Sequence, residues 1–533
     1  MRIKKILFAI LILSFLVRLA GIGYGLPLWL VADEPPFILG ALKMVELKTA
    51  IPGFHLKEFR SVLYYPPYVS YFYLPFFATV LGLKYFSFGG DRISFINYLG
   101  ADLSDFFMAA RLLNILLAVL SVYLVYQVSK NIFRDEWTAL ASSFFISTSL
   151  LHILLSITAR QWLAVSFIFT LVVYLLTEPA LSFKKRYFLS VLAVGLGMGV
   201  SAISSVFMVL IVLHYLFFEE KRILELLKDK FVYLLILLFI FLAAIPLVIY
   251  PSSIGFGGKI TFFNEKSITD FLLSPFNFLK PLLFAEPILI LFLVSGLIFS
   301  FIKYRKLFWI FLTFIFIYSC TFYMAFRFED RFLSPLLPMI AILAGFGFRE
   351  FFAFFYRFEK FIAAAALAVV ILLPAIFALR LGYLAYKNDS RENLRMWVEK
   401  NVSEDSRIIT DVYLMRLSSN KAAIEEQQKI DPASLRQADR SELYFGKNPI
   451  YPSFHALNFN LVENALQKNI TKYANDNSYD YLVLSEDVDA GDEMVSFGEN
   501  SGFSISESRL GKNPFQLFET KSLGPAVSLY KIR

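Results

Sequence analysis

Cysteine is all but missing from this sequence: Cys320 is the only one in 533 residues. No internal disulfide can form, and no zinc site of the multi-cysteine kind can be assembled. The four histidines, His55, His152, His214 and His455, stand apart from one another, which excludes HExxH-type metal chemistry. Charge is also scarce, at 18% of residues, where soluble domains carry roughly a quarter. Apolar side chains fill the gap, at 57% of the chain with 60 Phe and a mean hydropathy of +0.61. Uncharged runs such as Phe332–Phe348 approach the roughly 20 residues that a helix needs to cross a bilayer. The solvent for most of this chain is lipid.

The net charge of +8 does not point to nucleic acid, because Lys and Arg sit in short clusters between apolar runs. The run Ile6–Tyr24 follows Arg2, Lys4 and Lys5 as a signal peptide would. It is long for one and has no small-residue cleavage site, so it reads as an uncleaved first span. Further spans are expected at Ala109–Val128, Thr138–Ser156, Leu163–Thr177, Phe231–Tyr250, Pro287–Ile302, Leu307–Phe326, Phe332–Phe348 and Phe361–Tyr383. Phe188–Phe218 is too long for one helix and carries Gly195, Gly197, Gly199 and Ser201 midway, so it reads as two packed spans. The sum is a polytopic α-helical membrane protein of about eleven transmembrane helices.

Charge sets the expected sidedness. With the N-terminus in the cytoplasm, Lys130 and Arg134, Lys184–Arg186, Lys221, Arg222, Lys228 and Lys230, Lys303–Lys306, and Arg349, Arg357 and Lys360 all fall on one side. Counting the aromatic stretch Tyr68–Leu83 as a span would reverse that, so it is expected to lie along the outer surface. Residues 1–386 then form a transmembrane domain whose large first external loop covers 27–107. Residues 387–533 have the composition of soluble protein and read as a small extracytoplasmic α/β domain. Its expected helices are Glu392–Lys400 and Val462–Ala474, and its strands Arg407–Thr410, Tyr479–Leu484 and Ala526–Ile532.

Chemistry concentrates at the outer face. Asp33 and Glu34 follow the first span directly, and adjacent carboxylates at a membrane interface are expensive to desolvate. Two readings of the pair are open: a functional site, or a helix start with Asp33 as N-cap and Pro35 just inside. Four arginines share that face against the general charge bias, namely Arg111, Arg160, Arg327 and Arg331. A guanidinium fork suits phosphate oxygens; the plainer reading pairs Arg327 and Arg331 with Glu329 and Asp330, or sends them to lipid headgroups. Four of them beside two carboxylates point to an anionic ligand. Tyr64 and Tyr65 fit an interfacial aromatic belt.

These blocks, in this order, resemble the type C glycosyltransferases related to protein O-mannosyltransferases and the lipid A aminoarabinose transferase. The resemblance is carried by Asp33-Glu34, the Pro66-Pro67-Tyr68 segment, Ala110-Arg111-Leu112-Leu113-Asn114, Arg331-Phe332-Leu333-Ser334-Pro335, and Asp389-Ser390-Arg391 with Trp397. It implies the GT-C fold and a polyprenyl-phosphate-linked sugar donor within the cell membrane. The acceptor would be a protein, lipid or polysaccharide, reached by a single inverting displacement. It also implies Asp33 as the catalytic carboxylate with Glu34 beside it, and donor-phosphate binding by Arg111. A divalent metal, which some members need, is left open. Among rivals, a lipid or solute transporter (a flippase) predicts internal repeats and charges at the bilayer midplane, and no repeat is visible. A membrane-anchored sensor or scaffold leaves the Asp33-Glu34 placement unexplained.

Overall fold

Away from water an apolar run can satisfy its own backbone N–H and C=O groups only as a helix, and the chain does so repeatedly between Arg2 and Tyr386. This computed structural model describes residues 2–31, 33–92, 94–95, 99, 102–220, 228–253, 268–325, 328–356, 360–411, 415–430, 435, 453–459, 470–485, 492–498 and 502–532. Arg327, Lys221, Arg222, Arg357 and the first part of the expected helix Val462–Ala474 lie outside the described residues. After α1 (Arg2–Leu19), the first loop carries α2 (Pro35–Glu46) and α3 (Tyr68–Ser87). Then come α4 (Ser104–Phe133), α5 (Glu136–Thr148), α6 (Leu150–Ser156), α7 (Gln161–Thr177), α8 (Phe183–Gly197), α9 (Phe207–Phe218) and α10 (Lys230–Ile249). The bundle closes with α11 (Ile268–Ala285), α12 (Pro287–Lys303), α13 (Arg305–Ala325), α14 (Leu337–Phe355) and α15 (Lys360–Tyr386).

Among the described residues, five helical segments are long and apolar enough to cross a membrane, and six if α5 and α6 are one bent span. Shorter apolar helices, α7 and α12 among them, pack with these. The protein is a multi-pass integral membrane protein, mostly helical. The split of Phe188–Phe218 holds, with a 3-10 turn at Ala202–Val206 between α8 and α9. Two expectations fail. Thr138–Ser156 is not one straight span: the chain bends by 58° at Ser149, which leaves the helical region (ψ 122°) and caps α6 through its hydroxyl. A Ser-Thr-Ser run offers hydroxyls that compete for backbone bonds, the usual ground for such a break. The stretch after Tyr250 also holds a further helix, α11, whose apolar period Pro275 and Pro281 interrupt.

Lipid gives helices no hydrophobic reason to associate, so close backbone approach at small residues does much of the work. A Cβ on Gly296 of α12 would lie 2.0 Å from the Leu343 carbonyl oxygen of α14, and one on Gly347 would lie 2.2 Å from that of Phe292. Gly345 is equally tight against Ser142 of α5. Gly195 meets Leu242, so the glycines of α8 serve packing as their apolar setting suggests.

Beyond α15, helix Ser390–Asn401 leads into a five-stranded mixed sheet of order β2-β1-β3-β5-β4. The strands are β1 (Arg407–Asp411), β2 (His455–Phe459), β3 (Tyr481–Leu484), β4 (Asp492–Phe497) and β5 (Val527–Lys531). β1 runs parallel to β2 and β3, while β5 is antiparallel to β3 and β4. Successive side chains alternate faces, so Ile409 and Leu482 build one apolar layer and Ile408 and Val483 the other. The connection from β4 to β5 leaves this domain and packs Phe503, Ile505, Leu510, Leu517 and Leu523 into the helical bundle's own core. Arg380 of α15 fastens it through the carbonyls of Leu517 and Thr520 at 2.9 and 2.8 Å.

The tight crossing of α12 and α14 yields a test. Gly296→Ala must push backbone apart, and overpacking of this kind costs about 1–3 kcal/mol. It should lower the melting temperature of detergent-solubilised protein, while Gly23→Ala, with no heavy atom near the added carbon, should not.

Candidate active site

The site is built outward from Glu34. Pro35 starts α2 and Glu34 occupies its N-cap with helical backbone angles and no capping hydrogen bond from its side chain. Asp33 therefore caps nothing, and the helix-start reading of the pair does not hold for it. Its backbone lies in the left-handed region at φ +61°, as does that of Trp29 at +56°. Aspartate tolerates that region better than most residues and bulky ones poorly, and such strain collects at functional sites.

The turn drives the Glu34 side chain inward to zero exposure, where it meets an equally buried Arg111 from the first turns of α4. The pair is bidentate: Arg111 Nε donates to Oε1 at 2.7 Å and Nη2 to Oε2 at 2.6 Å. Nη1 donates to the carbonyls of Ile22 and Tyr24, at 2.9 and 2.7 Å. Glu34 Oε1 also accepts from the Ala159 amide at 2.6 Å. Two ions so buried are tolerable only when every remaining polar atom is matched, and here the end of α1, the first loop, α4 and the link before α7 all supply partners.

Asp33 faces the other way. Its side chain is 24% exposed and accepts from Arg331 Nη1 at 2.9 Å. Arg331 also pairs with Glu329 at 2.6 Å and lies over the Trp162 ring, 5.6 Å from its centroid. Tyr64 and Tyr65 border the same carboxylate. Burial, then the Asp33 charge, pushes the Tyr64 phenol up to about 12 and raises Tyr65 likewise. Both hydroxyls are neutral donors at physiological pH.

Arg160, the N-cap of α7, is 1% exposed. Burial lowers its guanidinium to about 10, with the charge of Arg331 adding to the effect and those of Asp33 and Glu34 opposing it. It remains cationic near neutrality. Its fork is covered by the segment after β4: Nη1 donates to Ser508 Oγ at 2.9 Å and Nη2 to the Ser506 carbonyl. The neighbouring Leu510 amide donates to Asp330 at 2.7 Å. Tyr24 donates to Asp389, which is ion-paired with Arg391 at 2.7 Å.

Asp33, Glu34, Arg111, Arg160 and Arg331 are thus gathered in one place, and Arg327 lies outside the described residues. The part played by Ser506 and Ser508 has no signal in the sequence. Trp162, two residues after Arg160, gave no signal either. Among the described residues no group of three or more His, Cys, Asp or Glu could hold a metal ion.

Residues 93–250 match the family model described as dolichyl-phosphate-mannose-protein mannosyltransferase. That stretch contains Arg111 and Arg160, whereas Asp33, Glu34 and Arg331 lie outside it. No curated protein sequence matches the chain. Among solved structures, the chain is similar to ArnT from Cupriavidus metallidurans bound to undecaprenyl phosphate, at 12% identity over 80% of this chain and 88% of that one, TM-score 0.44. The apo form of that protein aligns at 14% identity over 91% and 93%, also with TM-score 0.44. The Archaeoglobus fulgidus oligosaccharyltransferase tethered to an acceptor peptide aligns at 12% identity over 90% and 69%, TM-score 0.45.

Removing one partner of the buried pair strands the other, which costs about 3–5 kcal/mol. Glu34→Gln and Arg111→Met should each depress the melting temperature sharply. The double variant should recover part of the loss, because no uncompensated charge remains; a double variant worse than both singles would count against the pair as the anchor.

Proposed function

We propose that this protein is a membrane glycosyltransferase that moves a sugar from a polyprenyl-phosphate-linked donor to an extracytoplasmic acceptor by a single inverting displacement. The observation that carries the reading is Asp33: a reachable carboxylate on a strained backbone, capping no helix, paired with an arginine and standing one residue from a fully buried anchor. The family match over residues 93–250 supports the donor class.

In the mechanism we propose, Asp33 takes the acceptor hydroxyl's proton as that oxygen bonds to the anomeric carbon. The bond from the anomeric carbon to the phosphate oxygen breaks, and its electron pair leaves with the polyprenyl phosphate as a stable anion. No general acid is needed for that departure, and the sugar inverts without a glycosyl-enzyme intermediate. Arg331 is placed to stabilise the departing phosphate, while Arg160, its fork covered by Ser506 and Ser508, adds only the field of its charge. When phosphate engages Arg331, the ion pair with Asp33 loosens and the carboxylate becomes available as a base. Four of the five N–H groups of Arg111 are already committed, so its role is to hold Glu34, and through Glu34 the backbone of Asp33. Tyr64 and Tyr65 provide neutral donors beside Asp33.

For the topology we propose the arrangement that keeps the basic clusters together in the cytoplasm. The N-terminus is then inside, α3 and the proline-interrupted α11 lie at the outer surface, and residues 387–533 are extracytoplasmic.

Three measurements test this. Asp33→Asn keeps size and tolerance of positive φ but loses the base, so turnover of labelled polyprenyl-phospho-sugar should fall about 10²–10⁴-fold with donor binding retained. Near-native turnover would remove the centre of the mechanism. Arg331→Lys keeps charge without the fork and should weaken donor use in a protein that still purifies as folded. For the topology, Ser87→Cys on a Cys320→Ser background should react with an impermeant thiol reagent added to intact cells; labelling only after permeabilisation would place α3 across the membrane.

A further inference from the structure

The β4–β5 connection turns its apolar side chains two ways. Leu517 is fully buried in the bundle core, whereas Phe515 and Phe518 are 53% and 48% exposed. A short helix, Gln516–Glu519, sets this division, since Phe515 and Phe518 are three residues apart and share a face. Both rings pack on Phe377 of α15, with centroids 5.2 and 5.8 Å away. Around Phe377, α15 is a lipid-facing helix: Ala364–Tyr386 is long and apolar enough to cross a membrane, and only 17% of it is buried. Ile376 beside Phe377 is 44% exposed. Exposed apolar surface thus continues from α15 onto the connection.

We propose that residues 513–520 are seated in the outer leaflet of the bilayer, with Phe515 and Phe518 among the phospholipid acyl chains. The inference rests on the topology proposed above, in which α15 spans the membrane and ends at its outer face. Depth supports it. Tyr383 and Tyr386, both exposed, mark where α15 meets the interface. Phe377 precedes Tyr383 by six residues, about 9 Å deeper along the helix at 1.5 Å per residue. A segment lying in the interface buries its apolar face about 5–10 Å into the boundary of headgroups and acyl chains, the depth at which these two rings stand. The backbone meets the condition that depth imposes. Away from water every amide needs a partner, and those of Phe515, Gln516, Leu517, Phe518 and Thr520 all donate within 513–520. The carbonyls of Leu517 and Thr520 accept from Arg380, itself three residues below Tyr383. The domain beyond α15 thereby carries a membrane-binding surface of its own, on the same connection whose Ser506 and Ser508 cover Arg160.

The test uses full-length protein in lipid nanodiscs, with a nitroxide on Phe515→Cys or Phe518→Cys in a Cys320→Ser background. Controls carry the label at Ile376→Cys on α15 and at Met494→Cys on β4, which is 47% exposed and so as open as Phe518. Power-saturation spectra report collision with oxygen, which concentrates in lipid, and with a nickel chelate, which stays in water. The labels on the connection should lose nickel access and gain oxygen access, matching Ile376→Cys, while Met494→Cys keeps its nickel access. Nickel access on the connection equal to that of Met494→Cys overturns the inference and leaves the topology standing. Labels reached by neither reagent also overturn it, because protein, such as a second copy of the chain, then covers the patch. Loss of nickel access at Met494→Cys as well overturns it too, since the seat is then not particular to this segment. Nickel access at Ile376→Cys overturns the inference and the topology together.

Discussion

A carboxylate and a guanidinium with no exposure to solvent, Glu34 and Arg111, join at two contacts of 2.6–2.7 Å. Neither could be buried alone, since an isolated ion in a medium of low dielectric loses its hydration with nothing in exchange. Everything needed to match them is drawn from separate parts of the chain: carbonyls that end the first helix, an amide from the link before α7, and the turn that presents Glu34. The geometry of the candidate site follows from that convergence. Because Glu34 must point in, the preceding residue is turned through a left-handed backbone conformation and its carboxylate points out, towards Arg331. Glu34 thus holds the turn, and Asp33 before it is the residue proposed to react. A carboxylate held by a buried neighbour in the chain needs no induced fit to reach its place.

The candidate site is also closed by protein from far along the sequence. Tyr24 meets Asp389, Arg160 meets Ser506 and Ser508, and Asp330 meets Leu510. The domain beyond α15 is therefore not a passenger on the bundle. Its β4–β5 connection completes the wall in which Arg160 and Arg331 sit. That wall is stiffened where the chemistry is proposed to occur, since the α7 backbone is tied by Ser334 and Asn114 and the ring of Trp162 packs against both Arg331 and Phe332.

How much of this was legible in the sequence depends on the range of the interaction. Hydropathy over twenty residues found apolar helices and the division of α8 from α9, because burial in lipid acts on a whole segment, though only five or six of the about eleven expected spans are long and apolar enough to cross. It missed the bend at Ser149, where three hydroxylated residues outweigh an unbroken apolar run, and it missed α11, where two prolines obscure the period. The adjacency of Asp33 and Glu34 marked the site because charge is costly there. Their division of labour did not show, since it depends on Arg111, 77 residues away from Glu34. For the same reason Arg111 read as a phosphate ligand, although its fork is filled by protein. In the sheet, β1, β3 and β5 were readable from runs of β-branched and aromatic residues. β2 breaks its apolar residues with His455 and Asn458, and β4 is an edge strand whose side chains are mostly exposed, so neither carries a clear apolar signal.

The loop that covers Arg160 comes about 346 residues after it. A ribosome adding about 5–20 residues per second needs tens of seconds to cover that distance. During that time Arg111, Arg160 and the first loop already exist while Ser506 and Ser508 do not, so the wall beside Arg160 is open. The bundle is thus assembled before its own site is, and the last stretch of translation converts a pre-formed membrane scaffold into a finished pocket. A chain that stopped short of Ser506 would lack the groups that cover the Arg160 fork.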